Sequence, residues 1–290
     1  MIALVEIFDT SNEDKYHIKF EKHCCYEKID IPKYDNETLE LKNLRNLEII
    51  AFPSNAKIVK LSSIVNFIPK LPLNLLELNC ESVRLNKLPD LPSTLIKLFC
   101  NKNWLTELPL LPESLEYLDC SNNQIEKIPN LPKNLKVLKC FTNKCSLPEL
   151  PDSLEILQCN DNIEIKEIKK FSKNLKEIYC MGNNLSYLPE LPEGLELLEC
   201  SNNNLTHLPN LPNSLTEIGC CDCSLTSLTN LPNNLTDIYC SNNKISYIDY
   251  FPESLRIIVL NKNNLINIPT LPKKLSRIFI INNPISENKN

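Results

Sequence analysis

From residue 55 onward the apolar positions of the chain recur in blocks of two kinds. Around Leu118 and Cys120 apolar and polar residues alternate, which predicts a short strand with one buried face. A Leu-Pro-x-Leu-Pro stretch follows, as at Leu131-Pro132, Leu191-Pro192 and Leu271-Pro272. It cannot be α-helical, because proline lacks an N–H and fixes φ, so it is predicted to run as extended, polyproline-like chain. The two blocks alternate with a fixed period: LEYLDCSNNQIEKIPNLPKN begins at Leu115 and LELLECSNNNLTHLPNLPNS at Leu195. The period is 20 residues, with one unit of 19 from Leu135 and one of 21 from Leu154. The first unit is placed at Asn55, with Lys57 and Val59 as its outward strand positions, and the last is cut short after Leu275.

Each unit reads L-x-x-L-x-C-x-x-N-x-L-x-x-L-P-x-L-P-x-x, which matches the leucine-rich-repeat template with Cys at one inward leucine position. The expected fold is an α/β-class leucine-rich-repeat solenoid, mostly β: a right-handed curved coil with a parallel concave sheet and an extended convex side. The Asn at the ninth position, such as Asn103, Asn123 and Asn203, turns the chain out of the strand, and its amide can satisfy backbone groups that leave the sheet. Cys223 takes that place in one unit and should make a weaker rung. The unit from Leu154 has Ile168-Lys-Lys-Phe171 where the others have Leu-Pro pairs, so an irregularity is expected there.

Three segments result: 1–54, 55–285 with about 12 units, and a tail at 286–290. In the first, MIALVEIF and YHIKF flank a polar DTSNEDK stretch, which predicts a β-hairpin. Asn36–Ile50 suits either a degenerate repeat or a short helix, and the segment as a whole would cap the first coil.

Composition narrows the function. With 3 Gly there is no phosphate-cradling loop, and with 3 His there is little material for His catalysis or metal binding. A net charge of −5 argues against nucleic-acid and anionic-membrane partners, and no run approaches a membrane span. The 14 Cys occur without a leader-like N-terminus, which implies a reducing compartment, the cytoplasm. No cofactor is implied.

On the repeat quoted above, the chain resembles the LPX-type leucine-rich-repeat effectors of Gram-negative pathogens, of the YopM and IpaH type, and similar repeat proteins of giant DNA viruses. The resemblance spans roughly residues 55–285 and implies a factor acting on host proteins, in the host cytoplasm or the virion. Two departures stand out. Cys replaces an aliphatic residue of the bacterial repeat, and no ligase domain follows the repeats before Asn290. A substrate-recognition part of a ubiquitin-ligase-type effector and a self-associating structural component are the alternatives.

The nine-membered Cys column, Cys80 to Cys240, is continued by Leu260 and Ile280, which bind no metal. It is therefore expected to be apolar packing, reduced throughout, with no metal and no disulfide. The His23-Cys24-Cys25 cluster lacks the second half of a zinc site. No catalytic residue is identified.

Function is expected on the concave face, where large apolar residues have no packing duty. Phe99, Tyr117, Val137, Phe141 and Ile156 make one candidate patch. Tyr179, Met181, Leu197 and Tyr239 make a second, ringed by Glu177, Glu199, Glu217 and Asp237. The expected protein is a monomeric, non-enzymatic module that binds a basic protein partner.

Overall fold

A computed structural model describes residues 3–8, 15–20, 27–30, 38–42, 47–62, 64–65 and 67–287. The chain divides into two compact units, Met1–Pro151 and Asp152–Asn290. The first contains β1 (Ala3–Phe8), β2 (Lys15–Phe20), β3 (Glu27–Asp30), β4 (Thr38–Lys42), β5 (Leu47–Ala51), β6 (Ile58–Ser62), β7 (Glu77–Asn79), β8 (Lys97–Phe99), β9 (Tyr117–Asp119) and β10 (Val137–Lys139). The second contains β11 (Ile156–Gln158), β12 (Glu177–Tyr179), β13 (Leu197–Glu199), β14 (Glu217–Gly219), β15 (Ser227–Leu228), β16 (Asp237–Tyr239), β17 (Tyr247–Ile248), β18 (Ile257–Val259), β19 (Arg277–Phe279) and α1 (Pro284–Glu287).

In the first unit β4, β6, β7, β8, β9 and β10 pair in parallel, one strand per turn of the coil. In the second, β11, β12, β13, β14, β16, β18 and β19 do the same. Each turn sends its apolar residues inward: Leu115, Leu118, Cys120 and Ile125 of one turn are all fully buried. A lone turn could not cover that face, so each depends on the next.

The ninth-position amide works as the pattern implies. Asn103 donates from Nδ2 to the Cys80 carbonyl at 2.8 Å and the Cys100 carbonyl at 3.0 Å. Its Oδ1 accepts the Leu85 N–H at 2.9 Å. The same set recurs at Asn203, so one buried side chain joins two turns. The residue before it lies in the left-handed region, as at Asn122 (φ 53°), Asn202 (φ 55°) and Asn242 (φ 58°). Asn tolerates that conformation by hydrogen-bonding locally.

Several expectations need correction. β6 pairs Ile58 with Glu77 and Val59 with Leu78, so the first clear turn begins at Ala56, and Val59 is fully buried. A one-residue shift in a strand exchanges its two faces, so Ile58 and Lys60 face outward there. The parallel ladder also starts earlier than residue 55. Of the two alternatives for 36–50 the degenerate repeat forms: β4 is a strand of the ladder, with Leu39 and Leu41 buried. β1 and β2 pair antiparallel, while the turn between them and the His23-Cys24-Cys25 cluster lie outside the described residues.

The irregularity of the Leu154 turn sits before the Ile168–Phe171 substitution. Ile165 N–H bonds the Asn162 carbonyl at 2.9 Å, a tight local turn that absorbs the extra residue, and Ile168 and Phe171 stay buried. On the return side, Thr229 and Asp249 replace proline. The restored N–H groups allow β15 and β17 to pair, with Asp249 N–H on the Leu228 carbonyl at 3.3 Å and Asn230 N–H on the Asp249 carboxylate at 2.9 Å.

The Cys column is fully buried from Cys80 to Cys240. Cys220 and Cys240 are joined by a disulfide, with Cα atoms 4.8 Å apart. The expectation of thiols throughout fails at this pair, because one turn of spacing lies within the range a disulfide bridges. Cys80, Cys100, Cys120, Cys140, Cys159, Cys180 and Cys200 are thiols. Burial pushes the Cys80 thiol up to about 12 and Cys180 upward as well.

Candidate sheet-face binding surface

The strands leave their third and fifth positions on the open face of each sheet, and the seventh follows in the same row. All thirteen candidate residues lie there, half-buried, with their neighbours one turn away. Phe99, Tyr117, Val137 and Phe141 belong to the first unit, and Ile156 lies on β11 of the second. Phe99 and Tyr117 pack ring against ring at 4.7 Å, and the Lys139 ammonium lies 5.9 Å from the Tyr117 ring. Val137 is the direct partner of Tyr117 across the ladder. Lys139 is thus a member of this patch that apolar patterning did not reveal.

The second group lies wholly within the second unit. Glu177 pairs with Leu197, Leu197 with Glu217 and Glu217 with Asp237, while Tyr179 pairs with Glu199 and Gly219 with Tyr239. Met181 closes the row, its N–H held by the Asn160 amide oxygen at 3.0 Å. The Tyr179 hydroxyl donates to Glu177 at 3.1 Å. Burial, then Asp237 and Glu199, push the Glu217 carboxyl upward. The Tyr239 phenol is raised by burial, Asp237 and Glu217, against a smaller opposing effect of Arg277.

Charge is distributed unevenly here. Residues 177–243 contain eight Asp and Glu and no Lys or Arg. Elsewhere acids are matched from turn to turn: Glu81 with Lys102 at 2.8 Å, Glu116 with Lys136 at 2.8 Å, Glu155 with Lys176 at 3.1 Å. On β12, β13, β14 and β16 no such ion pair forms with any described residue.

Gly219 was visible in the sequence as the one glycine of the fifth-position row, without a role assigned to it. In the structure it is buried, and a Cβ at that position would lie 2.0 Å from Oε2 of Glu199. The Glu199 carboxylate therefore lies across Gly219, while its Oε1 accepts the Ser201 N–H at 3.0 Å. Glycine inside a strand marks such a close approach. Among the described residues no group of three or more His, Cys, Asp or Glu is arranged to hold a metal ion, and no helix is long and apolar enough to cross a membrane.

Stacked twenty-residue turns with a buried leucine core and an asparagine ladder define a leucine-rich-repeat protein. A family model of leucine-rich repeats (two copies) matches residues 93–133. Among solved structures, YopM, a leucine-rich effector protein from Yersinia pestis, is 34% identical over 82% of this chain and 69% of that one, with a TM-score of 0.73. The chain belongs to the leucine-rich-repeat family that includes YopM. YopM from Yersinia enterocolitica WA-314 is 26% identical over 84% of this chain and 69% of that one, with a TM-score of 0.53. A chain of the octameric complex of Latrophilin 3, Unc5D and FLRT2, where FLRT2 supplies the leucine-rich repeats, matches at 20% identity. That match covers 77% of this chain and 82% of the other, with a TM-score of 0.59. No curated protein sequence matches. The fold is typical of protein–protein interaction modules and is in general a non-enzymatic scaffold.

Proposed function

We propose that this protein is a non-enzymatic binding module that holds a basic protein partner on the sheet face of the Asp152–Asn290 unit. The observation that carries it is the row of Glu177, Glu199, Glu217 and Asp237, interleaved with Tyr179 and Tyr239 and with no Lys or Arg from 177 to 243. Unmatched acids of one sign repel one another, an arrangement that a positively charged partner relieves. The tyrosines supply ring area with a polar tip, a combination enriched where binding energy concentrates. The return-side prolines repeat nearly unchanged from turn to turn, so they set shape and single out no ligand. The kinship with YopM supports an effector-like role, with the protein acting in the cytoplasm as a monomer.

The test is capture of a partner from host-cell lysate, followed by measurement of its affinity for variants. Tyr179→Ala with Tyr239→Ala, and separately Glu199→Lys with Glu217→Lys, should stay folded by circular dichroism and lose the partner. Raising the salt should slow association, because the acidic row acts through long-range attraction. Unchanged affinity in both variants, with loss on changing the return-side residues, would overturn the proposal.

A further inference from the structure

We propose that Glu199, Glu217 and Tyr239 around Gly219 form a seat for one arginine side chain of the partner, its guanidinium bridging the two carboxylates and lying against the tyrosine ring. This rests on the sheet face being the binding face, and it names the chemistry that the face selects.

The seat is built by an absence of side chain. In the fifth-position row Tyr179, Glu199, Gly219, Tyr239 and Val259, only Gly219 has no Cβ, and the Glu199 carboxylate fills the space. The Ser201 N–H holds Oε1 of Glu199 at 3.0 Å, so the carboxylate is fixed in place before any ligand arrives. Oε2 is the atom that lies over Gly219. Glu217 stands two residues before Gly219 on the same strand, and Tyr239 is the ladder partner of Gly219 on the next. One carboxylate thus lies over Gly219, and the second carboxylate and the ring belong to its nearest same-face neighbours along the strand and across the ladder.

An arginine fits this better than other cations. The Glu199 carboxylate lies over Gly219 and Glu217 stands two residues back on that strand, a rise of ~6.6 Å, which the planar fork of a guanidinium bridges better than a point-like ammonium. Charge-assisted contacts to carboxylates gain further from a bidentate donor. A tyrosine face adds attraction for a cation stacked on it. The lysines that neutralise acids on other turns have no counterpart between residues 177 and 243, and Glu199 and Glu217 form no ion pair with any described residue, which leaves them open to a cation of the partner. Glu217 in its charged form is disfavoured by its surroundings, and a guanidinium would reverse that.

The probe is a capped tripeptide, acetyl-Gly-Arg-Gly-amide, with lysine and citrulline counterparts, titrated into the full chain and followed by the amide resonances of Gly219 and Ser201. The arginine peptide should shift both signals with a dissociation constant on the order of millimolar. The lysine peptide should bind at least about threefold more weakly and the citrulline peptide not measurably. Glu199→Gln and Gly219→Val should each weaken the arginine peptide about tenfold, while Glu190→Gln, exposed on the return side of the same unit, should leave it within about twofold. The Cβ of Gly219→Val meets only the flexible end of Glu199, and Glu199→Gln keeps the shape, so at least one variant reports on folded protein. Absent shifts, equal binding of the arginine and lysine peptides, or full binding by Glu199→Gln would overturn the seat. If the seat fails while the tyrosine variants still lose the captured partner, the binding face stands and this inference falls. If the seat binds arginine while those variants keep their partner, the binding face falls instead.

Discussion

Cys223 stands where the flanking turns carry Asn203 and Asn243, and its sulfur reaches the Cys200 carbonyl at 3.6 Å. Asn203 in the same place donates to the Cys180 and Cys200 carbonyls at 2.9 Å each and accepts the Leu185 N–H at 3.0 Å. A thiol is a weak donor with one hydrogen, so this rung of the ladder is underbonded. Cys223→Asn should raise stability by about 1 kcal/mol, the net worth of one or two hydrogen bonds. Asn203→Ala should cost more, about 2 kcal/mol, because it strands buried groups. Urea midpoints for the two variants check both signs.

Thr142 adopts φ 54°, in the left-handed region, where the neighbouring turns have Asn122 and Asp161 and the turn after that Gly182. A β-branched side chain is strained there. Thr142→Gly and Thr142→Asn should each stabilise the fold, by about 1 kcal/mol. A higher melting temperature for both is the expected result, and a lower one for both would show that the strain is relieved elsewhere.

Asn101 is buried, and its amide oxygen has no hydrogen-bond partner. The reason is competition. At Asn160 and Asn261 the same oxygen accepts the N–H one turn on, from Met181 at 3.0 Å and Ile281 at 2.8 Å. The corresponding donor for Asn101, the Ser121 N–H, goes to Asp119 at 3.1 Å instead. Asn101→Ala should therefore leave stability unchanged or raise it, whereas Asn160→Ala should lower it by about 1 kcal/mol. Chemical denaturation of the pair, side by side, decides the matter.

The buried thiols make stability fall at alkaline pH. Unfolded, Cys80 ionises from its ordinary 9.0, but folded it keeps its proton to about 12. A pKa raised by folding gives stability that is complete below the unfolded value and lost as pH rises from about 9 toward 12, by up to about 1.4 kcal/mol per pH unit. Cys80→Val should remove part of that decline and be tolerated at neutral pH, since Leu260 occupies the same column. Alkylation of the denatured protein before reduction should label Cys80 to Cys200 and spare Cys220 and Cys240, which should react only after reduction.

Glu217 illustrates a conflict between folding and binding. Burial, Asp237 and Glu199 raise its carboxyl, so its contribution to stability is present at acid pH and is lost as pH rises through the folded value. Glu217→Gln should melt higher than the parent at neutral pH and bind a basic partner more weakly. Both measurements are needed, because a merely structural glutamate would alter only the first.

The local pattern alone determined the turn length, the strand at each Leu-x-Cys and the asparagine bend. It also assigned which side chains face the core from Leu75 to Leu265. Each turn repeats the same neighbours, so a residue's environment is written in its own twenty-residue unit. The thirteen candidate surface residues were legible for the same reason, as outward positions. Tertiary structure decided what depends on residues one turn apart contending for the same space or the same donor. Ile58 rather than Lys57 faces outward because β6 is aligned by β7, not by a marker of its own. Cys220 bonds Cys240, Asp249 ties β17 to β15, and Asp119 deprives Asn101 of its donor. Glu199 settles over Gly219 because the next strand leaves a gap one side chain wide, a relation between residues twenty apart that neither turn encodes by itself.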